Sequence, residues 1–296
     1  MKNGRTTLFP LFAGITLLAG VTPLSAQKPD IPTGFTALFD GKSLKGWKGD
    51  PVAWSVVDGT IVSRPNPKIY ANTYLIHQRT FADFELRFKY RWKTMKGNSG
   101  VQIRSHEIDG HYVMTGMQVN VTNSEIRPER FGMLYNETGD RQEMALLGQR
   151  AEISRRSANG AGTGRVVRTV KEMVNRREDI IGAVRNGPEW TEVVVIAYGD
   201  RIVSAINGML AFDALDKDPV GKREGLIGLQ NHRSSPNSSE FEETFVEFKD
   251  IAIKPLSRMP DLSARFKSHI GPAPEPRVTY KDSTRAGLAD VALPTE

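Results

Sequence analysis

The stretch Asp83-Phe84-Glu85-Leu86-Arg87-Phe88-Lys89-Tyr90-Arg91-Trp92 alternates without a break. Phe84, Leu86, Phe88, Tyr90 and Trp92 fall on one side of an extended chain, and the charges fall on the other. This predicts a long strand with one buried face, which needs a second apolar layer. A second block predicts an antiparallel meander. Val193–Tyr198, Arg201–Ile206 and Met209–Phe212 are separated by Gly199-Asp200 and Asn207-Gly208, the favoured two-residue hairpin chemistry. A final strand spans Phe245 to Ile253. The step from Phe248 to Ile251 is three residues, so a bulge at Lys249-Asp250 is needed to keep the register. Further turns fall at Asp40-Gly41 and Asp58-Gly59. Many strands joined by tight turns predict an all-β, two-layer antiparallel sandwich.

The boundaries follow from where this pattern stops. Residues 27–34 form a polar lead-in, and the sandwich is expected over 35–256. Within it, 141–188 lacks alternation and reads as an insertion. Val170, Met173, Val174, Ile181 and Val184 lie roughly at helical spacing, so helical segments are expected between Thr169 and Arg185. After Leu256 the apolar periodicity fades among Pro260, Pro272, Pro274, Pro276 and Pro294. Residues 257–296 are expected to form a mobile or surface-wrapping tail.

The N-terminus has the form of an address. Lys2 and Arg5 precede an apolar run from Leu8 to Gly20, and Leu24-Ser25-Ala26 offers a small residue at a cut. Residues 1–26 therefore read as a cleaved secretory signal peptide. No second apolar run of about 20 residues follows, so no membrane span is expected in the mature chain, which would be periplasmic or secreted.

Composition removes several function classes. The 296 residues contain no cysteine, which excludes disulfides, thiolate metal sites and a cysteine nucleophile. The net charge is +6, but the basic residues are mostly interleaved with acids, so no nucleic-acid partner is expected. There is no phosphate loop, G-x-S-x-G elbow or H-E-x-x-H, and Gly160-Ala161-Gly162-Thr163-Gly164 lacks a preceding strand. Ser99, in Gly97-Asn98-Ser99-Gly100, is a turn residue before it is a nucleophile. His106 and His111 could ligate a metal, although Asp109-Gly110 between them marks a polar loop tip. Trp47, Trp54 and Trp190 are open as sugar platforms, whereas Trp92 fits the core.

Several segments together resemble the 3-keto-disaccharide hydrolase family. Leu38-Phe39-Asp40-Gly41-Lys42-Ser43-Leu44-Lys45-Gly46-Trp47 is similar to its opening, and Trp54-Ser55-Val56-Val57-Asp58-Gly59 to its next strand and turn. Asp83-Phe84-Glu85-Leu86, Asn98-Ser99-Gly100-Val101-Gln102-Ile103-Arg104, Gly116-Met117-Gln118-Val119-Asn120, Gly228-Leu229-Gln230-Asn231-His232 and Phe248-Lys249-Asp250-Ile251-Ala252-Ile253 follow in the family's order. The resemblance covers roughly residues 33–256 and implies a concanavalin-A-like jelly-roll sandwich. Met117 replaces the usual aromatic, Asn120 stands where one subfamily carries an Asp, and Arg233 where a Gly often follows the histidine.

The chemistry implied is cleavage of a glycoside already oxidised at C3. The C2 proton is then acidic, and its removal can expel the C1 substituent, so the enzyme would act as a hydrolase, or as a lyase or hydratase. Such a site needs a base near C2, donors at the C3 oxygen and an acid at the leaving oxygen. The candidates are Glu137 or His232 as base or acid and Arg104 as an electrophilic or orienting group. Asn98, Gln118, Asn120, Tyr135 and Gln230 would bind the sugar. Arg104 and Gln118 could instead belong to a buried structural network. A divalent metal could polarise the keto oxygen, but no ligand set stands out. The alternative function is a non-catalytic carbohydrate-binding module on the same scaffold.

Overall fold

The computed structural model describes residues 28–64, 72–93, 97–108, 110, 112–122, 130–156, 164–184, 189–232, 245–275 and 277–281. The proposed signal segment and residues 282–296 lie outside them. In chain order the strands are β1 (Thr36–Ala37), β2 (Trp47–Lys48), β3 (Trp54–Val57), β4 (Thr60–Ser63), β5 (Thr73–Phe81), β6 (Phe84–Trp92), β7 (Gly100–Glu107), β8 (Met114–Asn120), β9 (Leu134–Glu137), β10 (Gln142–Ala145), β11 (Gln149–Arg156) and β12 (Arg165–Met173). The helix α1 (Arg177–Gly182) is followed by β13 (Thr191–Tyr198), β14 (Arg201–Ile206), β15 (Met209–Asp216), β16 (Gly225–Asn231), β17 (Val246–Pro255), β18 (Gly271–Pro272) and β19 (Val278–Lys281).

These strands build two sheets, a jelly-roll sandwich. The larger has twelve strands and runs β18-β12-β11-β15-β14-β13-β6-β17-β4-β3, with β1 on β17 and β19 on β12. The smaller has seven and runs β10-β9-β8-β7-β16-β5-β2. Phe84, Leu86, Phe88, Tyr90 and Trp92 all enter the core between them, as the alternation requires. They meet Val101, Ile103, Val119 and Leu229 from the smaller sheet. The meander has both predicted turns, with positive φ at Gly199, Asn207 and Gly208. The β17 bulge is present: the register to β6 shifts between Lys249 and Ala252, and Asp250 has φ 51°.

Of the helical segments expected between Thr169 and Arg185, α1 forms at Arg177–Gly182, whereas Thr169–Met173 ends β12. Most of the described residues of 141–188 are strand, and α1 is the one helix among them. β11 and β12 form a hairpin that extends the larger sheet, with β11 parallel to β15. Ala151 and Ile153 do alternate inward, but a register shift between Arg150 and Ala151 interrupts the period. Several of its arginines are matched with acids. Arg141 pairs with Asp216 at 2.6 Å, and Arg155 bridges Asp140 and Asp218 at 2.7 and 2.9 Å.

Residues 257–281 wrap the surface. Phe266, with Leu256, Met259 and Leu262, covers Val194, Ile196, Val203, Ala205 and Leu210 on the outer face of β13–β15. Arg265 donates to Glu85 at 2.8 and 2.5 Å. β18 and β19 add to β12. The run Val193-Val194-Val195-Ile196 is apolar on consecutive residues because both faces of β13 are buried.

Candidate active site

The outer face of the smaller sheet carries side chains of a different kind. Leu75, Val101, Met117, Val119, Leu134 and Leu229 point into the core. Their neighbours Tyr74, Gln102, Gln118, Asn120, Tyr135 and Gln230 alternate to the other face. Register sets Gln102 opposite Gln118, Gln118 opposite Tyr135, and Gln230 opposite Tyr74.

Their amides form one directional chain. Ser105 Oγ donates to Gln102 Oε1 at 2.5 Å, and Gln102 Nε2 donates to Gln118 Oε1 at 3.1 Å. Gln118 Nε2 donates to Asn120 Oδ1 at 2.9 Å and to Gln230 Oε1 at 3.4 Å. Gln230 Nε2 donates to the Tyr74 hydroxyl at 2.9 Å. Tyr74, Gln102 and Gln230 are wholly buried. Buried amides need such closure, since an unpaired one costs about 1–3 kcal/mol. The Asn98-Ser99-Gly100 turn serves this platform. A Cβ on Gly100 would stand 2.3 Å from Gln118 Cδ, so only glycine leaves room. Ser99 is buried and its hydroxyl donates to the Gln230 carbonyl at 2.7 Å, a structural role rather than a nucleophile's. Asn98 Oδ1 accepts from Thr122 Oγ1 at 2.6 Å, at the end of the same strands.

β7, β8 and β9 then bend back over this face. The register of β7 on β8 shifts between Ile103 and His106, Arg104 has φ 46°, and Gly116 has φ 137°. Beyond the bend the hairpin crosses the platform. The Tyr74 amide donates to the Tyr112 carbonyl at 2.9 Å, and Glu107 pairs with Lys48. Met114 packs on Tyr74 and Ile76, and fills the space that a Cβ on Gly228 would need. Glu137, paired with Gly116 in β9, is carried with the bend.

Glu137 therefore meets residues distant in sheet order. Asn72 Nδ2 donates to its Oε1 at 3.1 Å. Burial pushes the Glu137 pKa up, against the opposing effects of hydrogen bonds from Asn72 and Gln230 and of the Arg130 charge. Burial, then the Glu137 charge, holds the Tyr74 hydroxyl far above the usual tyrosine range. The same two causes, with Glu143, push Tyr135 up to about 12. His232 directly follows β16 and is half-buried. Continuing the Asn231–Thr73 register sets it opposite Asn72, on the face of Gln230.

Arg104 takes the second of its two expected roles, in a buried structural network rather than beside Glu137. Its guanidinium turns inward and binds Ala82 O, Gly199 O and Asp83 Oδ1 at 2.8, 2.7 and 2.9 Å. It is fully buried, and these three bonds tie it to the β5–β6 turn and the β13–β14 turn. The expected constellation of Glu137, His232 and Arg104 thus lacks Arg104, whose side chain the bulge in β7 redirects. Trp47 is also core: it is buried, its Nε1 donates to Leu38 O at 2.7 Å, and it stacks edge-on with His77. Tyr74, Asn72 and Gln102 join the site without having been singled out. Tyr74 lies in the apolar run Tyr74-Leu75-Ile76, which hides which face it takes. Among the described residues no group of three or more His, Asp or Glu is arranged to hold a metal ion. No described helix is long and apolar enough to cross a membrane.

A profile of the 3-keto-alpha-glucoside-1,2-lyase-like domain matches residues 34–254. The chain belongs to this family. A relative from Bacteroides thetaiotaomicron, a 3-keto-disaccharide hydrolase, is 24% identical over 256 residues, covering 78% of this chain and 82% of that one. Among solved structures, a Bacillus subtilis protein with a galectin-like fold is 11% identical with a TM-score of 0.49, over 78% of this chain and 99% of that one. The carbohydrate-binding module CBM66, also from Bacillus subtilis, is 14% identical with a TM-score of 0.39, over 71% and 95%.

Proposed function

We propose that this family member cleaves the glycosidic bond of 3-keto-glycosides by C2 deprotonation and elimination, with Glu137 as the base. The observation that supports this most is the setting of Glu137: a carboxylate bent over a closed amide platform, held by Asn72 and raised in pKa by burial. A carboxylate made more basic is a better proton acceptor near neutral pH. The C2 proton passes to Glu137, and the electron pair left on C2 delocalises onto the C3 oxygen. As that enolate re-forms the ketone, the C1–oxygen bond breaks and the leaving oxygen takes a proton. Water adding across the resulting double bond completes hydrolysis; without it the enzyme is a lyase.

Tyr135 keeps its hydroxyl proton at neutral pH and would donate a hydrogen bond to the developing C3 oxyanion. His232, which directly follows β16, is suited to supply the leaving-group proton. Gln118, Asn120, Gln230 and Asn98 hold the buried network beside Glu137, a supporting role rather than direct chemistry.

The deciding experiment incubates the purified protein with a panel of 3-keto-glycosides, with and without a chelator, beside Glu137→Gln. Release of the aglycone by the parent and its loss in the variant support the reading. Binding of the sugars without turnover by the parent would favour a carbohydrate-binding module.

A further inference from the structure

We propose that Arg104 is a positioning residue that fixes the bend in β7 and so sets where Glu137 stands; this rests on reading Glu137 as the base. Arg104 occupies the left-handed region, φ 46°, which residues other than glycine rarely adopt. Such a conformation persists only where surroundings over-determine it, and here they do. The guanidinium reaches the turn between β5 and β6 through Ala82 O and Asp83, and the turn between β13 and β14 through Gly199 O. Asp83 Oδ1 also accepts from the Gly199 amide at 2.9 Å, locking the two turns to each other. The Arg104 backbone packs against β16, where a Cβ on Gly225 would lie 2.4 Å from the Arg104 carbonyl carbon.

The next residue transmits the anchor outward. Ser105 Oγ lies within hydrogen-bond distance of Gln102 Oε1, Ile103 O and Met117 O. It also fills the space that a Cβ on Gly116 would occupy, 2.3 Å from its Oγ. Gly116 is the register partner of Glu137. A continuous line thus runs from the turns of the larger sheet, through Arg104, Ser105 and Gly116, to Glu137. Lysine cannot replace the planar fork that satisfies three acceptors in different directions.

The test uses the full-length chain with Arg104→Lys and, separately, Asp83→Asn. Three quantities are read: hydrogen exchange at the Tyr74 amide, which the bent hairpin protects through Tyr112; the titration of Glu137 by carbon NMR; and kcat against KM on a 3-keto-glycoside. In Arg104→Lys, Tyr74 exchange should rise at least about tenfold while Val195 in the core stays protected. Glu137 should titrate closer to an ordinary carboxylate. kcat should fall about a hundredfold, the scale of a misplaced catalytic group, with KM changing much less. Asp83→Asn should move all three in the same direction by less. Native Tyr74 exchange and Glu137 titration in folded Arg104→Lys would overturn the proposal; if that variant does not fold, the same result in Asp83→Asn would overturn it. A parent inactive on every keto-sugar would refute the base assignment alone, because exchange and titration still report the anchoring.

Discussion

Asn72 and Glu137 stand at opposite sides of the smaller sheet in strand order, yet Asn72 Nδ2 donates to Glu137 Oε1 at 3.1 Å. The contact exists because β7–β9 fold over the face that β5 and β16 present. It gives a surface strand a partly desolvated carboxylate, and the first predictions follow from that.

Glu137→Gln should lower turnover of a 3-keto-glycoside at least about a hundredfold, the lower end of what a positioned base contributes. In the parent, activity should rise with pH as Glu137 loses its proton. Because burial raises its pKa, the acid limb of kcat/KM should lie above the ordinary glutamate value. A limb at or below that value would contradict the assignment.

The same shift has a sign for stability. A carboxyl whose pKa is raised by folding favours the folded state when protonated, and that contribution is lost as pH rises through the folded pKa. At pH 7 the ionised Glu137 is a burden on the fold, so Glu137→Gln should melt about 2 °C higher. At pH 4 the difference should shrink or vanish. Thermal melts at the two pH values check this, and a variant less stable at pH 7 would show that the bond to the Asn72 amide outweighs desolvation.

Gly100→Ala should destabilise by about 1–3 kcal/mol, the cost of overpacking, since its Cβ meets the Gln118 side chain at 2.3 Å. Val101→Ala on the core face of the same strand removes atoms instead and leaves the amide chain in place. Urea titration of both, with the Tyr74 ring resonances followed by NMR, separates the two effects. A neutral Gly100→Ala would mean that Gln118 can swing away.

Much of the fold is legible where one face of a strand is apolar and the other is not. Phe84 to Trp92 shows this most plainly, and the three-residue step from Phe248 to Ile251 even located a bulge. The β11–β12 hairpin is hidden because its period is broken at Arg150. Within the site, Gln118, Tyr135 and Glu137 were readable as outward positions of motif strands. For Arg104 a site role and a buried network stay open in the sequence, because alternation holds only until a bulge and no local residue announces that the strand turns its face at Ile103. Asn72 and Tyr74 reach Glu137 through the bend, a long-range contact that spacing along the chain does not encode.

The N-terminal pattern from Lys2 to Ala26 carries an expectation of its own. Protein recovered from producing cells should begin near Gln27 by mass spectrometry and fractionate outside the cytoplasm. Intact Met1 in a membrane fraction would instead mean an uncleaved anchor.

The last prediction concerns the segment after Leu256, where loss of periodicity hid a packing role. Val194, Ile196, Val203 and Leu210 are apolar on the outer face of the larger sheet, and Phe266 with Leu262 and Met259 covers them. Uncovering that face returns apolar area to water at about 25 cal/mol per Å². Phe266→Ala alone should cost about 3 kcal/mol, the lower end for a core phenylalanine, because 8% of the residue is already exposed. Truncation after Leu256 should cost more, since it also removes Arg265 from Glu85 and leaves that buried carboxylate with Arg87 as its remaining ion-pair partner. The folded Glu85 pKa is depressed, with the hydrogen bonds and charges of Arg265 and Arg87 overcoming burial, which opposes them. Its contribution is therefore present above the unfolded pKa and is lost as pH falls through the folded one. The truncated chain should lose stability relative to the parent most at neutral pH and less in acid. A truncated protein with the parent's melting temperature at pH 7 would show that the tail rests on the sandwich without supporting it.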